Sequence, residues 1–351
     1  MTIKILQVNP VDPEPEKIAL AAAEIRGGGL VAFPTETVYG LGANALDETA
    51  VRRIFAAKAR PSEDPLIVHI GKIEDLAAVV DQIPDLVKVL AEAFWPGPLT
   101  LVLPKSRLVP ANVSAGLNNV AVRMPAHPVA LALLESAGVP IAAPSANRFG
   151  HTSPTTAAHV LQDLGDFIDM ILDGGEASVG VESTVLDLTH TPPVILRPGG
   201  LTREELECII GPVGLQDKNE PGPQISPGLL DSHYAPHARL ILCMGAGPAV
   251  LEKIELLARE QLEKGVHVGL LLADEDQVQC QIPGVPVITL GPANDLTQIA
   301  RNLYAGLHKL DDLRVEVILA RSFTVQGLGL AINDRLRRAA SQIVSSRDEP
   351  A

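Results

Sequence analysis

The sequence predicts an α/β protein of two domains: a mixed, twisted sheet with helices, then a smaller, Rossmann-like, mostly parallel α/β domain. Three observations carry this prediction. Residues 1–210 alternate short apolar runs with helical patterns at irregular spacing, which fits a mixed rather than purely parallel sheet. Residues 211–237 form a break rich in proline and glycine, read as an interdomain linker or a functional lid. From 238 to 351 strands and helices alternate regularly, the pattern of parallel strands joined by crossover helices. A chain of 351 residues also exceeds one typical core.

In the first domain, strands are predicted at Leu30–Phe33, Leu66–Ile70, Thr100–Leu103, Val120–Met124, Ile141–Ala143, Ser183–Leu188 and Val194–Leu196. Glu16–Arg26 reads as a helix closed by Gly27-Gly28-Gly29, and Glu48–Ala59 as a helix capped by Asp47. Pro61 disfavours continuation past Arg60. The break holds Pro212, Pro221, Pro223, Pro227 and Pro236, with almost no periodicity. Ordered loops of that length are uncommon inside compact domains, which leaves a linker or a functional lid. The second domain reads as strand Arg239–Met244, helix Pro248–Lys264, strands His267–Ala273 and Val287–Leu290, helix Asp295–Leu310, strand Val315–Ala320 and helix Leu328–Val344.

Composition narrows the function classes. Hydrophobic residues make up 46% of the chain, enough for packed cores. Aromatics are only 3%, too few for a base-stacking platform, and the net charge of −14 opposes binding nucleic acid by bulk attraction. Cys208, Cys243 and Cys280 lie far apart without metal-ligand spacing, so reduced thiols in a cytoplasmic protein are expected. The first ten residues lack an apolar signal segment, and no run approaches the roughly 20 apolar residues of a membrane helix.

Against that acidic background, Lys58-Ala59-Arg60-Pro61-Ser62 stands out as a specific phosphate site at a helix end. Lysine supplies a point charge and arginine a fork that grips phosphate oxygens in pairs. Further polar clusters follow strand ends, where open α/β sheets place ligands. Phe33–Gly42 carries Thr35, Thr37 and Tyr39, with Gly40 and Gly42 positioned to let backbone approach a ligand. Arg123 sits on an apolar strand, either as a structural ion-pair partner or as the anchor of a substrate carboxylate. Ser145 and Asn147, then Ser153, Ser183 and Arg197, repeat the strand-then-polar pattern. No HExxH, CxxC or complete phosphate-binding GxxxxGK[ST] loop is present, so positioning and charge stabilisation at a phosphate fit better than covalent or zinc chemistry. No metal site is assigned to the protein's own side chains.

Taken together, these stretches resemble the YrdC/threonylcarbamoyl-AMP synthase family in its long, two-domain form. The matching motifs are FPTETVYGLG (33–42), KARPSEDPLIVHI (58–70), WPGPLT (95–100), VAVRMPAHP (120–128), PIAAPSAN (140–147), GVEST (180–184), LRPG (196–199), SPG (226–228) and HYAP (233–236). The resemblance implies a YrdC-like first domain and the synthesis of threonylcarbamoyl-AMP and pyrophosphate from L-threonine, bicarbonate or CO2, and ATP. It implies that Thr35, His69, Arg123, Ala143 and Ser183 line the threonine pocket. Lys58, Arg60, Ser62, Ser145, Asn147, Ser153, Arg197 and Tyr234 would then hold the nucleotide, with Lys58 and Arg60 stabilising charge in the transfer. Magnesium would accompany ATP, and a downstream tRNA threonylcarbamoyl transferase would take the product for ANN-decoding tRNAs. No dedicated general base stands out. Leu229-Leu230-Asp231-Ser232 departs from the family, which has Met and basic or aromatic residues there, and so removes cations from the expected lid.

Two rival readings are weighed. A non-catalytic protein binding double-stranded RNA or tRNA would need a basic surface, yet residues 1–210 carry 15 basic and 25 acidic side chains. An enzyme making another carbamoyl adenylate, as in hydrogenase maturation, would be expected to carry acylphosphatase and zinc-finger companions.

Overall fold

The computed structural model describes residues 3–216, 234–245 and 247–346. The SPG motif, Leu229–Ser232 and His233 lie outside the described residues, so the lid expectation for them is not addressed by the fold. The chain divides into two units. Residues up to 149 and from 153 belong to the first, while Gly150–Thr152 join the second with the C-terminal part of the chain.

The first unit is built on Lys4–Gln7 (β1), Val31–Phe33 (β2), Gly40–Asn44 (β3), Ile67–His69 (β4), Leu99–Pro104 (β5), Asn119–Arg123 (β6), Ile141–Ala142 (β7), Met170–Asp173 (β8), Thr184–Asp187 (β9), Val194–Arg197 (β10) and Gly214–Leu215 (β11). They form one mixed sheet in the order β1-β8-β2-β3-β7-β4-β6-β5-β9-β10-β11. β4 and β6 run parallel, while β5 runs antiparallel to β6 and β7 antiparallel to both β3 and β4. Both faces are covered. Ala32 joins the core around Leu41, Ile54, Val68 and Val122, whereas Val31 and Phe33 join a second core with Ile18, Ile25 and Leu133. That alternation follows from the two-residue period of a strand.

One expectation is corrected here. Gly40-Leu41-Gly42 is not a loop held open for a ligand; it lies in β3, paired antiparallel to β2. A Cβ on Gly42 would come within 2.8 Å of Ile141 and Phe33, so this glycine serves close strand packing. Strong strand formers are absent from GLGAN, which is why propensity missed the element.

The second unit contains Arg239–Met244 (β12), Val268–Leu272 (β13), Val287–Thr289 (β14), Val317–Arg321 (β15) and Ala340–Ser345 (β16). Their order is β14-β13-β15-β12-β16, and every pairing is parallel. Helices Pro248–Glu263, Leu296–Asp312 and Gly329–Ala339 connect them. The expected helix Leu328–Val344 is therefore also corrected. It stops at Ala339, and the remainder becomes β16 against β12. Leu336, Ala340, Ile343 and Val344 keep helical spacing, but Ile343 and Val344 are β-branched and an open edge of β12 accepts them.

Candidate active site

Three neighbouring strands set the centre of the site. His69 on β4 and Thr100 on β5 both register with Arg123 on β6, which lies between them. Such a row of polar residues across buried strands is costly unless each finds a partner. Arg123, 4% exposed, donates from Nε to the Gly97 carbonyl (3.2 Å) and from Nη1 to Thr37 Oγ1 (2.9 Å). Its Nη2 lies 2.6 Å from Glu36 Oε1. Of the two alternatives open for Arg123, the geometry shows the first: it is a buried ion-pair partner at a strand end.

Hydroxyls extend the row on either side. Thr35 Oγ1 donates to the Val38 carbonyl (2.6 Å) and lies 2.8 Å from Thr37 Oγ1. Thr100 Oγ1 lies 2.7 Å from Ser183 Oγ. Arg197, at the end of β10, reaches across with Nη2 to the Ser183 carbonyl (3.0 Å) and Oγ (3.3 Å). Hydrogen bonds therefore join Thr35 to Arg123 through Thr37, and Thr100 to Arg197 through Ser183, while Thr100 faces Arg123 across the strand register. His69 is buried against the edge of Phe33, ring centroids 6.2 Å apart. Burial, reinforced by the Arg123 charge, lowers its pKa to about 3, so the imidazole is neutral. Ala143 donates its backbone N–H to the Ile67 carbonyl (2.9 Å), which fixes the turn after β7 beside β4.

The second cluster forms where helix Glu48–Lys58 ends in a left-handed Ala59 (φ 50°). The buried Lys58 turns Nζ onto the carbonyls of Ser145 (2.7 Å) and Asn147. Burial, with the Arg60 charge adding to it, holds its pKa well below the ordinary lysine range. Arg60 is anchored to the following turn: Nε donates to the Asp64 carbonyl (3.1 Å), Nη2 to the Pro65 carbonyl (2.9 Å), and Nη2 pairs with Asp64 Oδ2 (2.9 Å). Ser145 Oγ donates to Asn147 Oδ1, and Asn147 Nδ2 donates to the Arg148 carbonyl (2.9 Å). Backbone bonds from Leu41 to Pro144 (2.8 Å) and from Ala146 to Tyr39 (2.8 Å) lock this loop beside the Thr35–Val38 turn. Ser153 donates to Glu182 Oε1 (2.7 Å), next to Ser183.

Two predicted residues have partners outside these clusters. Ser62 is exposed and donates to Glu63 (3.2 Å). Tyr234 belongs to the second unit, where it is buried on Tyr304 (ring centroids 5.9 Å) under the Arg335 guanidinium (5.1 Å). Conversely, Glu36, Asp64, Thr100 and Glu182 were not anticipated. Glu36 and Glu182 stand inside matched motifs, and a buried arginine on a strand demands a counter-charge; which acid supplies it depends on the fold. Among the described residues no group of three or more His, Cys, Asp or Glu could hold a metal ion. No helix among them is long and apolar enough to cross a membrane.

Comparison with known proteins shows what the whole chain is similar to. Residues 23–199 match the Sua5–YciO–YrdC family model, described as telomere recombination, and residues 201–341 match the threonylcarbamoyl-AMP synthase C-terminal domain. The chain is 50% identical to the threonylcarbamoyl-AMP synthase of Pyrococcus abyssi, covering 92% of this chain and 94% of that one. Against the synthase of Bacillus subtilis it is 47% identical, covering 94% and 93%. The crystal structure of P. abyssi Sua5 complexed with L-threonine superposes with a TM-score of 0.92 at 48% identity, covering 97% of this chain and 99% of that one. The chain thus belongs to the Sua5–YciO–YrdC family, in the long form that carries the threonylcarbamoyl-AMP synthase C-terminal domain.

Proposed function

We propose that this protein is an L-threonylcarbamoyladenylate synthase, a nucleotidyltransferase that joins L-threonine, bicarbonate or CO2, and ATP into threonylcarbamoyl-AMP with release of pyrophosphate. The observation that carries the proposal is the match, over nearly the whole chain, to a Sua5 structure holding L-threonine. The identities with named synthases and the acidic charge balance favour this over a non-catalytic RNA-binding role.

In this reading Arg123 takes the threonine carboxylate, Thr35 and Ser183 read the side-chain hydroxyl, Ala143 offers backbone, and neutral His69 closes the pocket. Ser145, Asn147, Ser153, Arg197 and Ser62 surround the nucleotide. The ammonium first gives up a proton; the free amine then adds to CO2, formed from bicarbonate with loss of water, giving a carbamate whose oxygen attacks the α-phosphorus while pyrophosphate leaves. Lys58 and Arg60 stabilise the charge that develops there. Burial pushes the Lys58 pKa down, and a bound anion would act in the opposite direction, favouring its cationic form. Magnesium would enter with the triphosphate, which supplies oxygen ligands itself. A downstream tRNA threonylcarbamoyl transferase would consume the product in the cytoplasm. Tyr234 would close over the nucleotide.

Mass spectrometry of the product made from ATP, bicarbonate and threonine tests the proposal. The expected mass is that of threonylcarbamoyl-AMP, with pyrophosphate release that requires both threonine and bicarbonate. Salt-dependent RNA binding without threonine-dependent ATP consumption would point to the rival instead.

A further inference from the structure

We infer that Glu36 reads the substrate's amine, so that the Glu36–Arg123 pair receives the two charged ends of an α-amino acid. The inference rests on the threonine reading above. It starts from an anomaly. Although Arg123 Nη2 lies 2.6 Å from Glu36 Oε1, the contact is not aligned as a hydrogen bond. Arg123 Nη2 and both Glu36 carboxylate oxygens are buried without a hydrogen-bond partner among the described residues. The other two nitrogens of Arg123 are satisfied by Gly97 and Thr37.

Buried polar atoms are nearly always hydrogen-bonded, and leaving one unmade costs the full desolvation of that group. Here the unmet needs are complementary: one donor nitrogen and two acceptor oxygens, side by side. A ligand that answers both carries an anion and a cation about one carbon apart, which describes the carboxylate and ammonium of an α-amino acid. A carboxylate has room for about four hydrogen bonds, so Glu36 can accept from the ammonium while still facing Arg123. Position agrees with this. Glu36 lies between Thr35 and Thr37, whose hydroxyls lie 2.8 Å apart, and Thr37 bonds to Arg123. His69 Nδ1, buried on the next strand and also without a hydrogen-bond partner, lines the same row.

The test compares calorimetric binding of L-threonine with that of 3-hydroxybutyrate of matching configuration, which is threonine without its amine. The wild-type chain should prefer threonine by about 100-fold or more, because a site built to bond a polar group rejects the analogue lacking it. Glu36→Gln should shrink that preference by about tenfold or more, mainly through weaker threonine binding. A purely structural role would weaken both ligands together and leave the ratio unchanged, and that result overturns the inference. If Glu36→Gln does not fold, the wild-type arm decides: equal binding of the two ligands overturns it. A wild-type protein that binds neither ligand overturns the threonine reading itself, so the two failures are distinguishable.

Discussion

Arg123 in the first unit and Arg335 in the second are both buried arginines facing an acidic side chain, yet their surroundings differ. Arg335, 1% exposed, donates from Nη1 to Asp334 Oδ2 at 2.7 Å and lies 5.1 Å from the centre of the Tyr234 ring. Asp334 also receives Arg338 Nε at 3.0 Å. Arg123 has its counter-ion as close, but misaligned, and buried polar atoms on both partners lack hydrogen bonds. A satisfied cluster of charges fixes a local structure; an unsatisfied one holds binding capacity in reserve. The difference separates a pair whose hydrogen bonds are made from one whose hydrogen bonds are still to be made.

The contrast can be broken by mutation, and the largest effect is expected in stability. Arg335→Met leaves Asp334 buried with one partner fewer and should cost the second unit about 3–5 kcal/mol in urea unfolding, with the threonine KM unchanged. A raised threonine KM would erase the distinction drawn above. Arg123→Met should act in the opposite sense. We expect threonine-dependent pyrophosphate release to fall by about 100-fold, roughly 2.7 kcal/mol, while the KM for ATP stays close to wild type. Loss of ATP binding to the same degree would make Arg123 a structural residue like Arg335.

The neutral His69 gives a smaller, pH-dependent effect. Its folded pKa, about 3, lies below the ordinary 6.5, so the unfolded chain binds the proton more readily. Stability is therefore retained above pH 6.5 and lost as pH falls through 6.5 towards 3. Between pH 7 and pH 5 the loss should be about 2 kcal/mol, and His69→Gln should remove that part of the pH dependence. An identical pH dependence in the variant would show that His69 is not held neutral. Smallest is the effect expected of Arg60→Lys, which keeps the charge but loses the forked contacts to Asp64 and Pro65. The KM for ATP should rise about tenfold with the threonine KM unaltered. A change in threonine affinity alone would move Arg60 out of the nucleotide half.

Much of the fold was legible because apolar periodicity reports which faces are buried. The strands carrying His69, Thr100 and Arg123 were readable as apolar runs, and Asp47 was readable as the cap of the helix that ends at Lys58. Periodicity failed where two structures share one pattern, as in the segment after Ala339, and where space rather than propensity chose a strand, as at Gly42. Within the site, the cations were legible as rare charges next to strand and helix ends. Glu36 was not, because among so many acids nothing local marks the one that will face a buried arginine.

The sequence by itself determined the two-domain α/β organisation, the family, and the residue types available for binding a phosphate and an amino acid. These follow from composition, local periodicity and motifs, which are properties of neighbours along the chain. Tertiary structure alone decided that Lys58 caps the carbonyls of Ser145 and Asn147, that Arg197 reaches Ser183, that Tyr234 packs in the second unit, and that Glu36 meets Arg123 with hydrogen bonds still to be made. Each is a contact between segments distant in sequence or a choice among equivalent side chains. Such choices are set by strand register and by the cost of burying charge, and both exist only once the sheet has formed.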